Sequence, residues 1–119
     1  MATETQTLKN FIDGEFVDPV DGETEPVINP ANGEVIGHAP LSSPEDVDRA
    51  VQAARRAFGE WSTLTPGERS LALFRLADVV EEHADELTEL EVDNAGKPIN
   101  AFRDDEIPFM VDNLRFFAG

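Results

Sequence analysis

The chain has 119 residues, which is enough to build one hydrophobic core but not two independent ones. Its 25 acidic and nine basic residues give a formal net charge of -16, which argues against binding to nucleic acid or to an anionic membrane surface, because both are recognised through lysine and arginine. The sequence has no cysteine, so these residues contain no disulfide framework, no thiolate metal site and no cysteine nucleophile.

The N-terminus shows no targeting signal, because residues 1–7 are polar and acidic where a signal peptide is basic and then apolar. The uncharged apolar runs are far shorter than the roughly 20 residues that span a bilayer. We therefore expect residues 1–7 to be a disordered N-terminus, residues 8–119 to be the ordered region, and the protein to be cytoplasmic.

The charged residues are also uneven in type, because Lys9 and Lys97 are the only lysines among the nine basic residues. Many carboxylates with little lysine favour a halophilic protein, since molar salt screens their mutual repulsion. The alternative is an ordinary acidic protein.

The first forty residues are typical of short strands joined by turns. Asp13-Gly14 separates the apolar segments 11–12 and 15–17, which predicts a β-hairpin. Further strands are predicted at 27–28 and 35–37, with turn-forming residues between them.

Three helices are predicted after residue 40, where the apolar period changes. Ser43 caps the first helix, and a capping box at Thr65 begins a second helix that ends near Asn94. A third helix runs from about Asn100 to the end, with a kink at or a start near Pro108. The first helix has one apolar stripe, formed by Val47, Ala50, Val51, Ala54, Ala57, Phe58 and Trp61.

Familiar catalytic patterns are absent, including the glycine-rich dinucleotide fingerprint and the serine nucleophile motif. His38 and His83 lack partners at metal-ligand spacing and are predicted to be surface residues. The acidic run at 104–106 has two interpretations, a metal or acid-base site and a solvated helix N-terminus. Since successive helical positions point about 100° apart, all three carboxylates cannot meet at one ion.

Five stretches together resemble the N-terminal portion of the aldehyde dehydrogenase superfamily, and they are closest in motif to its aminoaldehyde and betaine-aldehyde branches. They are FIDGEFVD (11–18), VINPANGEVIGHAP (27–40), the segment 43–87, ELEVDNAGKPINAFRDDEIP (89–108) and NLRFFAG (113–119). The last helix ends at Gly119 without a polar tail, so we expect residues 8–119 to be a truncated piece of the family's cofactor domain.

The resemblance implies an α/β fold, with short N-terminal strands and about three helices forming the first part of a Rossmann-like cofactor domain. Members oxidise aldehydes to carboxylic acids with NAD or NADP, through a cysteine thiolate and a glutamate-activated water. They are homo-oligomers. The family's catalytic and cofactor-contacting residues have no counterpart in this sequence, so we expect the chain alone to be inactive and to bind no cofactor.

The resemblance also implies two sites. Ile28, through its carbonyl, and Asn94, through its side chain, occupy positions at which many members bind a monovalent cation, although many relatives have Asp in place of Asn94. Glu106 and Asp112 lie at or near positions where carboxylates attract a cationic aldehyde to the substrate tunnel. The alternative for Glu106 and Asp112 is an ordinary pair of exposed acids.

Two functions therefore remain open. One is the N-terminal part of an NAD(P)-dependent aldehyde dehydrogenase, whose partners are a small aldehyde and the remainder of the enzyme. The other is a non-catalytic interaction module that docks on a full-length relative.

Overall fold

A computed structural model describes residues 5–119. These residues form two compact units: the first ends at Ser62, and the second comprises Thr63–Gly119. The first unit contains β1 (Gln6–Thr7), β2 (Asn10–Ile12), β3 (Glu15–Val17), β4 (Thr24–Ile28), β5 (Val35–Pro40) and α1 (Pro44–Trp61). The second contains α2 (Pro66–Glu82), α3 (Ala84–Ala95), a π-helical segment (Ala101–Glu106) and α4 (Ile107–Ala118). The predicted α/β class, with short strands before helices, is confirmed.

The central strand of the three-stranded sheet is β5, which pairs in parallel with β1 and antiparallel with β4. The predicted disorder is therefore wrong for Gln6 and Thr7; residues 1–4 lie outside the described residues. A Cβ at Gly37 would lie 3.1 Å from the Gln6 carbonyl oxygen, so glycine lets the two strands approach without a tight contact there. The Leu8 amide continues the contact by donating to the His38 carbonyl at 2.8 Å.

The predicted hairpin is confirmed, since β2 and β3 pair antiparallel around Asp13-Gly14. Asp13 has a φ of 57° and Gly14 a φ of 83°. A two-residue hairpin loop of type I′ needs positive φ at both positions, which Asp and Gly tolerate. The rings of Phe11 and Phe16 lie 5.0 Å apart on this hairpin, and both are exposed.

The first unit contacts α1 along the alanine side of the predicted stripe. Ala53 is its buried apolar residue, while the large members of the stripe are exposed. The alanines at 50, 53, 54 and 57 line a shallow cleft with Phe11 and Ile12 of the hairpin. The hairpin thus contacts Ala50, Ala54 and Ala57 of the stripe and leaves its large side chains uncovered. Small side chains let the hairpin approach the helix closely, and sequence periodicity does not record that approach.

The second unit has four helical segments where the sequence predicted two. The helix predicted from Thr65 to Asn94 is interrupted at His83, which has a φ of -98° and a ψ of 18°. Of the two alternatives for Pro108, a helix start near it is confirmed: a π-helical segment leads into α4, and Pro108 occupies the first turn of α4. Proline fits a first turn because the amide it lacks would be unpaired there.

The hydrophobic core lies in the second unit. Ala77, Phe102, Ile107 and Val111 are buried, at 0%, 7%, 3% and 2% exposure. Half-buried Val80, Ala84, Leu87 and Leu114 pack against them.

The C-terminal end of α4 is attached to α2. Ser70 donates a hydrogen bond to the Ala118 carbonyl, and Arg115 pairs with Asp78 at 3.0 Å and with Glu81 at 2.8 Å. Hydrogen bonds to the two carboxylates raise the pKa of Arg115, and the bond to Glu81 has the larger effect. Among the described residues, the helices are too short or too polar to cross a membrane.

Candidate functional site

An open cavity of about 600 Å³ lies on the second unit between α2 and α4. Its lining is apolar except for one carboxylate and one amide: Leu73, Glu106, Phe109, Met110, Asn113, Leu114 and Phe117. The spacing of 110, 113, 114 and 117 places these residues on one face of α4. A mainly apolar cleft with one charged group is typical of a surface that receives a small organic molecule or an apolar segment of protein.

The charge at this cavity is set by an ion pair. The Lys97 Nζ lies 2.6 Å from a Glu106 carboxylate oxygen, 3.1 Å from Glu91 and 5.1 Å above the ring of Phe102. Hydrogen bonds to Glu106 and Glu91 raise the pKa of Lys97, and the bond to Glu106 has the larger effect. Lys97 therefore stays charged and partly compensates the carboxylate that lines the cavity.

The two predicted substrate-attracting residues are placed differently. Glu106 lines the cavity, whereas Asp112 is exposed on α4 and lies outside that lining. Within residues 5–119, no basic side chain lies within ion-pair distance of Asp112. Its charge is therefore the less compensated of the two.

The two predicted cation ligands lie in different units. Ile28 ends β4 and is 51% exposed, and Asn94 lies exposed in the last turn of α3. In the described part of the chain, no cluster of three or more His, Cys, Asp or Glu side chains could hold a metal ion.

The acidic run at 104–106 belongs to the π-helical segment before α4. Asp104 pairs with Arg103 at 2.8 Å, and this hydrogen bond lowers the pKa of Asp104. Glu106 pairs with Lys97 instead. Asp104 and Glu106 therefore have different basic partners, and the run does not converge on one point.

The histidines occupy positions that secondary structure explains. His38 is half-buried in β5 and stands opposite Thr7. His83 separates α2 from α3, with its Nδ1 3.0 Å from the Glu86 carboxylate.

Asp46 is the buried titratable group of the first unit, at 1% exposure. Its carboxylate accepts hydrogen bonds from the Ser43 amide and hydroxyl, both at 2.9 Å, and from the Val20 amide at 3.1 Å. The pKa of Asp46 is lowered, chiefly by the hydrogen bond from the Ser43 amide, while burial acts in the opposite direction and raises it. Asp46 thus joins the β3–β4 connection to the start of α1.

We predict that Asp46→Asn lowers the melting temperature at neutral pH and flattens its dependence on acid. The folded-state pKa of Asp46 lies below its ordinary value of 3.8, so the stability it contributes is present above 3.8 and is lost as pH falls through the lower folded value. Thermal melts from about pH 7 to about pH 2 should show wild type and variant converging in acid. Asp48→Asn, at an exposed position on the same helix, is the control; an equal loss there would refute the assignment.

Lys97 and the cavity were missed by sequence reasoning. The apolar residues Met110, Leu114 and Phe117 recur at helical spacing, and the same spacing extended toward the N-terminus reaches Glu106. This pattern was a sequence signal for the face of α4 that lines the cavity. Lys97 and Glu106 are nine residues apart, and this separation gave no sequence signal for their ion pair.

A model of the aldehyde dehydrogenase family matches residues 16–119. The aminoacetaldehyde dehydrogenase of Pseudomonas aeruginosa is 44% identical over 98% of this chain and 24% of its own length. The mitochondrial benzaldehyde dehydrogenase of Antirrhinum majus is 43% identical over 93% of this chain and 21% of its own length. Each match leaves most of the relative's length outside the comparison.

The solved structures agree. An aldehyde dehydrogenase from Bacillus cereus, solved in complex with NAD+, superposes on this chain with a TM-score of 0.91 and is 43% identical in sequence. The superposition includes 95% of this chain and 23% of the Bacillus cereus chain. The chain thus spans about a quarter of the relatives that it matches. The family resemblance and the N-terminal α/β architecture are confirmed, and the chain belongs to the aldehyde dehydrogenase family.

Proposed function

We propose that this chain forms the N-terminal part of the cofactor domain of an NAD(P)-dependent aldehyde dehydrogenase, which oxidises an aldehyde to a carboxylic acid. The observation that carries the proposal is the continuous family match over residues 16–119, supported by the TM-score of 0.91 to the NAD+ complex. We further propose that the whole enzyme is a cytoplasmic homo-oligomer that uses NAD or NADP, without nucleic-acid or membrane partners.

The chemistry needs groups that these residues do not supply. Aldehyde oxidation in this family requires a thiolate that attacks the carbonyl carbon, a nicotinamide that accepts the hydride, and water that cleaves the resulting thioester. The chain has no cysteine, so its role is to build the scaffold. The purified 119-residue chain should not oxidise aldehydes with either cofactor or bind one.

A chimaera tests the proposal directly. In it, this chain replaces the matched 23% of the Bacillus cereus enzyme. We expect the chimaera to oxidise aldehydes with NAD while the 119-residue chain alone does not. The control is the same chimaera with the catalytic cysteine of the Bacillus cereus part replaced. A folded chimaera without turnover, or turnover by the isolated chain, would contradict the proposal.

The alternative function, a module that docks on a full-length relative, is favoured by the large exposed apolar side chains, such as Phe58, Phe109 and Phe116 at 65%, 71% and 77% exposure. Sedimentation of the 119-residue chain with the intact Bacillus cereus enzyme separates the two functions. A stable complex supports the module, whereas separate sedimentation supports the enzyme part.

For the substrate, we propose an aldehyde that carries an ammonium group, attracted by Glu106 and Asp112. Sequence identity does not choose the substrate, because the relatives named for aminoacetaldehyde and for benzaldehyde are 44% and 43% identical. The support is the carboxylate of Glu106 at the cavity and the charge of exposed Asp112, which has no ion-pair partner among residues 5–119.

We expect Asp112→Asn in the chimaera to raise the KM for an ammonium-bearing aldehyde roughly 2–3-fold in dilute buffer, and less in molar salt, because the attraction acts through water. Glu106→Gln should have a smaller effect, since Lys97 already compensates that charge. Benzaldehyde is the neutral control substrate, and Glu82→Gln is the control variant. A similar rise in KM for benzaldehyde would exclude electrostatic attraction.

For the cation, we propose that the Ile28 carbonyl and the Asn94 side chain contribute to a monovalent site in the whole enzyme. The support is the family resemblance and the exposure of both residues. Since a carboxylate attracts a cation more strongly than an amide, Asn94→Asp in the chimaera should increase the rise in melting temperature with added KCl. Tetramethylammonium chloride at equal ionic strength controls for screening, and an equal rise in that salt would rule out a site.

A further inference from the structure

An ammonium group shared by two carboxylates lies beside the cavity of the second unit. The Lys97 Nζ is 2.6 Å from a Glu106 oxygen and 3.1 Å from a Glu91 oxygen. Glu106 lines the cavity, whereas Lys97 and Glu91 lie outside its lining. Of these three charged groups, a ligand in the cavity therefore touches Glu106 and senses the other two through their electric field.

The backbone and a core ring hold Lys97 in this position. Gly96 ends α3 with a φ of 68°, and Pro98 restricts the backbone of the residue before it. The Nζ lies 5.1 Å from the centre of the Phe102 ring, which is 7% exposed and belongs to the core. A cation–π contact with this buried ring adds to the two ion pairs. The ammonium group is therefore held by contacts on several sides.

The two carboxylates compete for the one ammonium group. Glu106 is the closer of the two, but Glu91 also draws on the positive charge, so the three groups together keep a net negative charge. The side chains of Lys97 and Glu91 are 35% and 31% exposed. Nearby water thus weakens their field in the cavity without removing it.

We propose that Lys97 and Glu91 set the charge selectivity of the cavity from outside its lining. Lys97 opposes the charge of Glu106 and so limits the preference of the cavity for a cationic ligand. Glu91 draws on the same ammonium group and so restores part of that preference. The potential in the cavity can be measured without turnover, whereas its consequence for an aldehyde substrate rests on the proposed function.

Met110 can report the potential in the cavity, because it is one of the lining residues. The sequence has one other methionine, Met1, so Met110→Leu identifies the Met110 methyl signal of the 119-residue chain. Paramagnetic relaxation of this methyl is measured with aminomethyl-PROXYL, a cation, and with carboxy-PROXYL, an anion. A negative potential concentrates the cation and excludes the anion, so the cation-to-anion ratio of the two relaxation rates follows the charge at the cavity.

Lys97→Met should raise this relaxation ratio roughly 2–4-fold in dilute buffer, and Glu91→Gln should lower it. Lys97→Arg keeps the charge and should give a ratio near that of wild type. Two controls make the same charge changes elsewhere. Lys9→Met removes an ammonium group that pairs with Asp18 in the first unit, and Glu89→Gln removes an exposed carboxylate from α3. Both controls should change the ratio much less.

Equal effects of Lys97→Met and Lys9→Met, or of Glu91→Gln and Glu89→Gln, would overturn the inference. Relaxation that rises equally with both probes in Lys97→Met would also overturn it, because that result means a more open cavity and not a different charge. Should Lys97→Met unfold the chain, the ratios of Glu91→Gln and Lys97→Arg decide the outcome.

The consequence for the substrate is tested in the chimaera. Lys97→Met should lower the ratio of the KM for betaine aldehyde, which has a fixed positive charge, to the KM for benzaldehyde roughly 2–3-fold, and Glu91→Gln should raise this KM ratio. A structural role alone would change both KM values together. An unchanged KM ratio would overturn the consequence for the substrate. An inactive chimaera, with the relaxation ratios shifted as expected, would count against the proposed function alone.

Discussion

Phe102→Ala is expected to lower the free energy of unfolding of the second unit by about 3–5 kcal/mol, a large share of the roughly 5–15 kcal/mol that stabilises a small domain. Phe102 is 7% exposed and packs with Ala77, Ile107 and Val111. Removing its ring leaves a cavity that surrounding backbone cannot fill without distorting the π-helical segment. Urea denaturation followed by helical circular dichroism at 222 nm measures the loss.

Phe116→Ala is the matched control, since it removes the same ring from a 77% exposed position on α4. Its effect on the free energy of unfolding should stay within about 0.5 kcal/mol. Similar losses for the two variants would mean that the core is not where the burial pattern places it.

Salt should produce the second large effect. With a net charge of -16, the chain repels itself, and the screening length falls from about 10 Å at 0.1 M salt to about 3 Å at 1 M. We therefore expect the helical signal of the isolated chain to rise between dilute buffer and molar KCl. Since screening does not depend on the cation, NaCl should act equally. A flat response would remove the support for a halophilic protein.

Local turn and cap chemistry made part of the fold predictable. The hairpin followed from Asp13-Gly14, because few residues other than these adopt two successive positive φ values. The starts of α1 and α2 followed from the capping boxes at Ser43 and Thr65, which satisfy backbone amides within four residues of sequence. These features need no partner distant in the chain.

Features that depend on distant packing were not predictable. The apolar pattern continues through His83, so the break between α2 and α3 has no local signal. The choice of the alanine face of α1 depends on a hairpin some forty residues away in sequence. At the candidate site, resemblance identified Glu106, but its Lys97 partner became apparent only when the loop after α3 was placed in space.

The parallel pairing of β1 with β5 has a consequence for folding kinetics. Gln6 meets Gly37 across an intervening loop of about thirty residues, whereas β4 and β5 are joined by a short turn. Closing the longer loop costs roughly 3 kcal/mol of chain entropy, and a two-residue strand recovers little of it. The hairpin and the β4–β5 pair therefore form first, and β1 joins last and leaves first. The rate-limiting barrier of the first unit should accordingly be insensitive to substitutions at Gln6 and Thr7, which would act on the rate of opening instead.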